Sequence, residues 1–316
     1  MAHPGTDPLP GLVGGGQVLS GNALAVGSIL LWSAGFPAAD LLLTIWRPEW
    51  LIMMRLLLAV GAMLAAWFII EGPARVLGAA WRRGLWIGFA SFGLGTYLLL
   101  VAQWYTDPVT VALIASTTPI SATVIEVLSR QRRMTRRFMQ GLAASVIGGL
   151  VATGADVSAD LGLGVLMALG SGILFAWGSN AAVRDFPDLS PLGRSTVTLA
   201  GACVFAVPLV TGFHLAGIAV VPAEPLTWHQ VGLLSIYAVA ALALSQVMFN
   251  ASVGRIGVAL TSFHINVAPF YVMLILLAMG GDWNWSKAAG AALVALGVLL
   301  SQLPARPSRT RPVAGA

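Results

Sequence analysis

Charge is scarce in this chain of 316 residues: Asp, Glu, Lys and Arg together make up 9% of it, against about 25% in an ordinary globular domain. Hydrophobic residues make up 58%, and the mean hydropathy is +0.86. So little polar surface cannot cover so many apolar side chains in water, and lipid is the expected solvent. Lysine is almost missing: Lys287 is the only one among 17 basic residues. A P-loop needs Gly, four residues and then Gly-Lys, and Lys287 follows Ser286, which excludes an ATP-driven pump of that kind. The H-E-x-x-H and G-x-S-x-G motifs are absent as well, and no cofactor or metal is expected. The single Cys203 lies in an apolar segment and reads as a packed, inert thiol that cannot form an intrachain disulfide. The first 20 residues carry no Lys or Arg; without the basic start of a signal peptide, the first helix is expected to be retained.

What the chain does have is long apolar runs divided by short basic gaps. A spanning helix needs about 20 mostly apolar residues, and ten candidates follow: 21–43, 49–70, 83–103, 108–129, 136–154, 161–183, 191–212, 230–252, 256–279 and 284–303. Arg130, Arg132, Arg133, Arg136 and Arg137 crowd the gap between the fourth and fifth. Short loops rich in Lys and Arg stay cytoplasmic. With that loop inside, fourteen of the 17 basic residues fall on the inner side, Arg47 and Lys287 fall outside, and Arg55 lies within a helix. Both termini are then cytoplasmic. The pI near 10.1 comes from these gaps rather than from a nucleic-acid footprint. Residues 1–19 and 304–316 read as flexible tails, the second of them basic.

The expected fold is an all-α polytopic membrane protein of ten transmembrane helices in two inverted five-helix repeats around a central cavity. The first repeat covers 20–155 and the second 156–303. Trp32 pairs with Trp177, Arg55 with Arg194, Pro119 with Pro269, and Gly141 and Gly148 with Gly290 and Gly297. Five helices per copy is an odd number, so the second copy inserts upside down, as in many secondary transporters.

Proline inside a helix removes a donor and frees the carbonyl four residues earlier. Pro119 frees Ala115 and Pro269 frees Ile265, at corresponding places, with Ser116, Thr117, Thr118, His264 and Asn266 nearby. Broken helices at repeat-related positions point to a site at the membrane midplane. His264 is the only histidine inside a span and a candidate to bind a carboxylate or carry a proton; a neutral His bonded to a carbonyl is the alternative. Trp177 and Asn180 share a helix face, as do Gln246 and Asn250. With Trp32, Tyr97 and Gln103 they offer aromatic walls and amide donors for a planar solute, although amides also join helices. No carboxylate falls at the midplane: Glu126 is near the inner end of the fourth span and Asp40 near the outer end of the first. That favours facilitated or exchange transport over proton coupling. Arg55 and Arg194 are expected to snorkel or to bind carbonyls and headgroups, a clamp on a solute carboxylate being the other reading. Glycines in the fifth and tenth spans suit close packing, as scaffold.

Taken together, the two repeats, Trp32, the Trp177–Asn180 element, Arg55 and the paired glycines resemble the drug/metabolite transporter superfamily of the EamA type. Within it the resemblance is to the YddG-type exporters of aromatic amino acids, over residues 21 to 303. It implies a basket of spans one, three, four, six, eight and nine around a cavity, braced by five and ten, in a bacterial inner membrane. After Trp32 stand Ser33, Ala34 and Gly35, without the Asn of the second repeat, and arginines stand where a Gly-Glu pair often follows the fourth span.

The expected function is export of aromatic or apolar amino acids and related metabolites by alternating access, facilitative or by exchange. Trp32, Tyr97 and Trp177 would contact the ring. Ser116, Thr117, Asn180, Gln246, His264 and Asn266 would bind the amino-acid end, and Pro119 and Pro269 would bend. A proton-coupled exporter of drugs or other metabolites is the alternative. An intramembrane enzyme using Ser171 and His264 is the remote one. The expected partners are a small-molecule substrate and membrane lipid, not nucleic acid, for a monomer or weak homo-oligomer.

Overall fold

A computed structural model describes residues 15–121, 136–153 and 159–302, all elements of which are helices and their connections. Helix α1 is Gly15–Leu43, α2 Pro48–Glu71, α3 Trp81–Tyr105, α4 Pro108–Ser121, α5 Arg136–Thr153, α6 Ala159–Asp185 and α7 Pro191–Leu215. Helix α8 is Trp228–Ile256, α9 Thr261–Ala278 and α10 Trp285–Gln302. Seven of these are long and apolar enough to cross a membrane: α1, α2, α3, α6, α7, α8 and α9; α4 and α10 are shorter apolar helices. Residues 15–19, expected in the N-terminal tail, are helical and open α1. Arg130, Arg132, Arg133, Glu126, the C-terminal tail and the boundary between the expected repeats lie outside the described residues; Arg136 and Arg137 open α5.

Helix starts follow local chemistry. Proline, pre-set for the first turn and lacking a donor that turn would leave unpaired, opens α2, α4 and α7. Asp107 caps α4 by accepting the N–H groups of Val109 and Thr110, and Ser190 caps α7 by accepting that of Gly193. Thr227 and Gln230 form a reciprocal capping box at α8. The turn between α8 and α9 is very tight. Ser252 Oγ lies 2.9 Å from Thr261 Oγ1, whereas nine residues of straight helix span about 13.5 Å, so the chain doubles back between them.

The packing repeats itself across the two halves. Both α3 and α8 contain a π-helical stretch, Gly88–Gly93 and Ile236–Leu244. Residues 84–98 and 234–248 follow the same order of buried and exposed positions, as do 59–67 and 202–210. Small residues of each π stretch fill a glycine of the other half: Ala241 meets Gly35, and Ser91 meets Gly178. Gly148 packs on the backbone of Gly290 and Gly297 on that of Gly141, so α5 and α10 lie backbone to backbone. By these spacings Trp32 falls opposite Phe175 and Arg55 opposite Thr198, whereas the sequence comparison paired them with Trp177 and Arg194.

Ion pairs tie the ends of the bundle. At one end Lys287 Nζ, at the start of α10, lies 2.7 Å from Asp107 Oδ1 at the start of α4. At the other, Arg83 Nε of α3 lies 2.7 Å from Asp185 Oδ2 of α6.

Candidate functional site: a cavity between the two halves

The middles of α1, α3, α6 and α8 do not close on one another. Between them lies a space of about 870 Å³, partly open to solvent, walled by Trp32, Phe92, Leu99, Phe175, Leu242 and Phe249 among others, with α4 and α9 contributing Ala115, Thr118 and Ile265. Edge-to-face contacts fix the aromatic walls, Trp32 on Phe36 at 4.9 Å and Phe92 on Phe175 at 5.6 Å between ring centres. A second cavity of about 540 Å³ continues towards the Asp185 end, lined by Pro119, Ser179, Asn180, Asn250 and Val253 among others. Towards the Asp107 end the space narrows to about 260 Å³ between Trp32, Phe36, Arg55, Leu99, Gln103 and Tyr237. These two end cavities occupy matching places: Phe36 corresponds to Ser179, Leu100 to Asn250 and Gln103 to Val253.

Of the residues expected to bind substrate, Trp32 and Gln246 line the central cavity and Asn180 the Asp185-end cavity. The other six do not line these spaces. Tyr97 turns away and donates its hydroxyl to Glu49 Oε1 at 3.1 Å. Trp177 is 39% exposed on the outside of the bundle, whereas Phe175, two residues earlier, lines the central cavity. Ser116 and Thr117 serve the backbone. The helix breaks there, and Ser116 Oγ donates to Leu113 O at 2.6 Å and Thr117 Oγ1 to Ile114 O at 2.7 Å. The carbonyl that Pro119 frees, Ala115 O, is taken by Thr118 Oγ1 at 2.6 Å. On α9 the break is the 3-10 turn His264–Val267, which ends just before Pro269 and satisfies Ile265 O with the N–H of Ala268. His264 and Asn266 belong to that turn; Asn266 Nδ2 donates to Phe263 O at 3.0 Å. Both prolines therefore sit at the start of a resumed helix, where their missing donor costs least.

Most hydroxyls on the cavity wall are spent on the backbone. Ser28 Oγ donates to Ser245 O at 2.8 Å, Ser91 Oγ to Ile87 O at 2.6 Å, and Thr96 Oγ1 to Phe92 O. Gln246 and Ser171 line the cavity as well, with no side-chain hydrogen bond among the described residues. At the narrow end Gln103 Nε2 donates to Phe36 O at 2.8 Å, a latch of α3 on α1; Val253, in the matching place, has no such donor.

From the sequence Arg55 was expected to snorkel or to bind carbonyls and headgroups, a clamp on a solute carboxylate being the other reading; it does bind a carbonyl, from a buried place. It is 4% exposed and lines both the central and the narrow cavity. Its Nε donates to Tyr237 O at 3.1 Å, its Nη1 to Tyr237 Oη at 3.1 Å, and its guanidinium lies 3.8 Å over the Tyr237 ring. Arg194 binds carbonyls as expected, those of Phe186 and Leu189. Phe175 and Phe249, plain apolar residues in apolar helices, carried no signal; only the fold places them on the cavity.

Residues 19–154 match the model of the EamA-like transporter family, so the chain carries an EamA-like domain over that stretch. No curated protein matches the chain significantly. Sixteen chains of known structure do. One of them, a crystal structure of a protein 16% identical in sequence, superposes with a TM-score of 0.66 over 90% of this chain and 97% of its own, a likeness of fold.

Proposed function

We propose that this chain is a secondary transporter that exports aromatic or apolar amino acids and related metabolites across a bacterial inner membrane by alternating access. The observation that carries the reading is the central cavity. It is apolar and aromatic, and set between halves whose π stretches, glycine crossings and proline breaks match. In this reading the ten helices are two inverted repeats, the Asp107 end faces outward, and both termini are cytoplasmic. The larger of the two end spaces then lies at the Asp185 end, the cytoplasmic side in this reading. The matching places exchange roles when the bundle rocks outward.

Trp32 and Phe175 stack the solute's ring from either half, and Gln246 and Ser171 meet its polar end. Among the described residues no Asp or Glu lines any of the three cavities, which supports facilitated or exchange transport. The test is flux of labelled phenylalanine or tryptophan into liposomes holding the purified protein. Counterflow driven by unlabelled amino acid is the expected result, and no flux for any amino acid excludes this substrate class.

One observation favours proton coupling as a second reading. Glu49, at the start of α2, is a buried carboxylate holding the Tyr97 hydroxyl and Arg47 Nε, each at 3.1 Å. Uphill movement driven by a pH gradient alone, lost in Glu49→Gln, would establish it.

A further inference from the structure

Resting on the reading of the central cavity as the transport site, we propose that Arg55 is its anion-binding group and that the transported solute carries a carboxylate beside an apolar or aromatic body. Arg55 reaches from α2 to α8, and it is one of three residues shared by the linings of the central and narrow cavities, with Trp32 and Leu99. A guanidinium stays charged at any working pH and carries five N–H donors. Tyr237 takes one from Nε and one from Nη1 and lays its ring beneath the plane. No carboxylate among the described residues pairs with it. A buried cation left in that state is costly, and a carboxylate bound in the plane of the remaining donors removes the cost by bidentate pairing.

The matching crossing in the other half shows that the fold does not require this charge. There Thr198 stands for Arg55 and Ile87 for Tyr237; Thr198 turns its hydroxyl back to Arg194 O at 2.9 Å, and α3 packs closely on α7. The same helix crossing is made without a cation, so Arg55 answers to the cavity rather than to the bundle. Among the described residues the cavity walls also hold no anionic group for an ammonium. Selection is therefore for negative charge: an acid or an amino acid is accepted, an amine is not.

The test compares four solutes of one shape in proteoliposomes of the full chain: 3-phenylpropionate, phenylalanine, 3-phenylpropionamide and phenethylamine. Binding is followed separately, as the rise in melting temperature that each produces. Wild type binds and moves the two carboxylates and rejects the amine. Arg55→Gln lowers affinity and flux for both carboxylates about ten- to a hundredfold, the worth of a hydrogen-bonded charge, and leaves the amide unchanged. Arg55→Lys keeps preference for the anion with weaker binding. Should Arg55→Gln fail to fold, the wild-type charge series and Arg55→Lys decide. Equal treatment of acid, amide and amine, or carboxylate flux unchanged in a folded Arg55→Gln, overturns the assignment while leaving transport standing. Anion-selective binding without flux of any solute would instead sink the transport reading and keep the site.

Discussion

Gly88→Ala should loosen the crossing of α3 and α7, and its cost can be worked from the geometry. A Cβ on Gly88 would lie 1.8 Å from Thr198 O, 2.8 Å from the Thr198 carbonyl carbon and 2.8 Å from the Gly201 Cα. All three are backbone atoms of a helix and cannot rotate away as a side-chain tip would. An ordinary contact of carbon with oxygen needs roughly 3.3 Å, so α3 and α7 must part by about 1.5 Å along that direction. Such a shift opens the fully buried surface around Leu199, Ala202 and Ile87. Overpacking of this kind costs about 1–3 kcal/mol. The control is Gly61→Ala on α2, where a Cβ would meet nothing within 4 Å; relief of glycine's backbone entropy makes that change neutral or stabilising by about 0.4–1 kcal/mol. Thermal melting of both variants in detergent, followed by the loss of the monodisperse peak, reads the difference. Gly88→Ala melting with wild type, while Gly61→Ala behaves as stated, would refute the rigid-crossing argument.

Gln103→Leu removes the latch on Phe36 O, and its loss should favour opening at the Asp107 end by about 1 kcal/mol, roughly a fivefold shift in the conformational ratio. In a Cys203→Ala background, a cysteine at Leu100 should react about fivefold faster with a membrane-impermeant thiol reagent added outside. Trp32→Ala and Phe175→Ala should each lower flux of an aromatic solute at least tenfold, while Trp177→Ala should leave it within twofold; the opposite ranking would restore the role that sequence pairing assigned to Trp177. Lys287 Nζ at 2.7 Å and the Thr110 donors outweigh burial, which acts in the other direction, and hold the Asp107 carboxyl below the usual carboxylate range. A lowered folded-state value stabilises the fold above the unfolded carboxylate's pKa of about 3.9 and is lost as pH falls through the folded one. Melting temperature should therefore drop below about pH 4, with a smaller drop in Asp107→Asn, which keeps a capping oxygen; equal acid sensitivity in the two proteins would count against the pair.

The helices themselves were legible because lipid imposes a simple rule: about 20 apolar residues per span, breaks marked by proline, glycine and charge. Expected and observed helices coincide to within a turn at most ends, and both proline breaks lie where the composition put them. The side chains that face the cavity were not legible in the same way. In an apolar helix the period that separates inside from outside in water is erased, since core and lipid are equally apolar. Polar residues were therefore taken as site markers, and Ser116 and Thr117 turned out to spend their hydroxyls on carbonyls three residues back, at the helix break.

Composition alone, then, decided that the chain folds in lipid as a bundle of helices, because water cannot solvate 58% apolar residues and lipid cannot satisfy an unpaired backbone. Only the tertiary structure decided which residues meet. Gly35 admits Ala241, Gly178 admits Ser91, and those two crossings set the register that turns Trp32 and Phe175 inward and leaves Trp177 outside. Register between helices depends on side-chain volumes at distant points of the chain, and no local pattern encodes it.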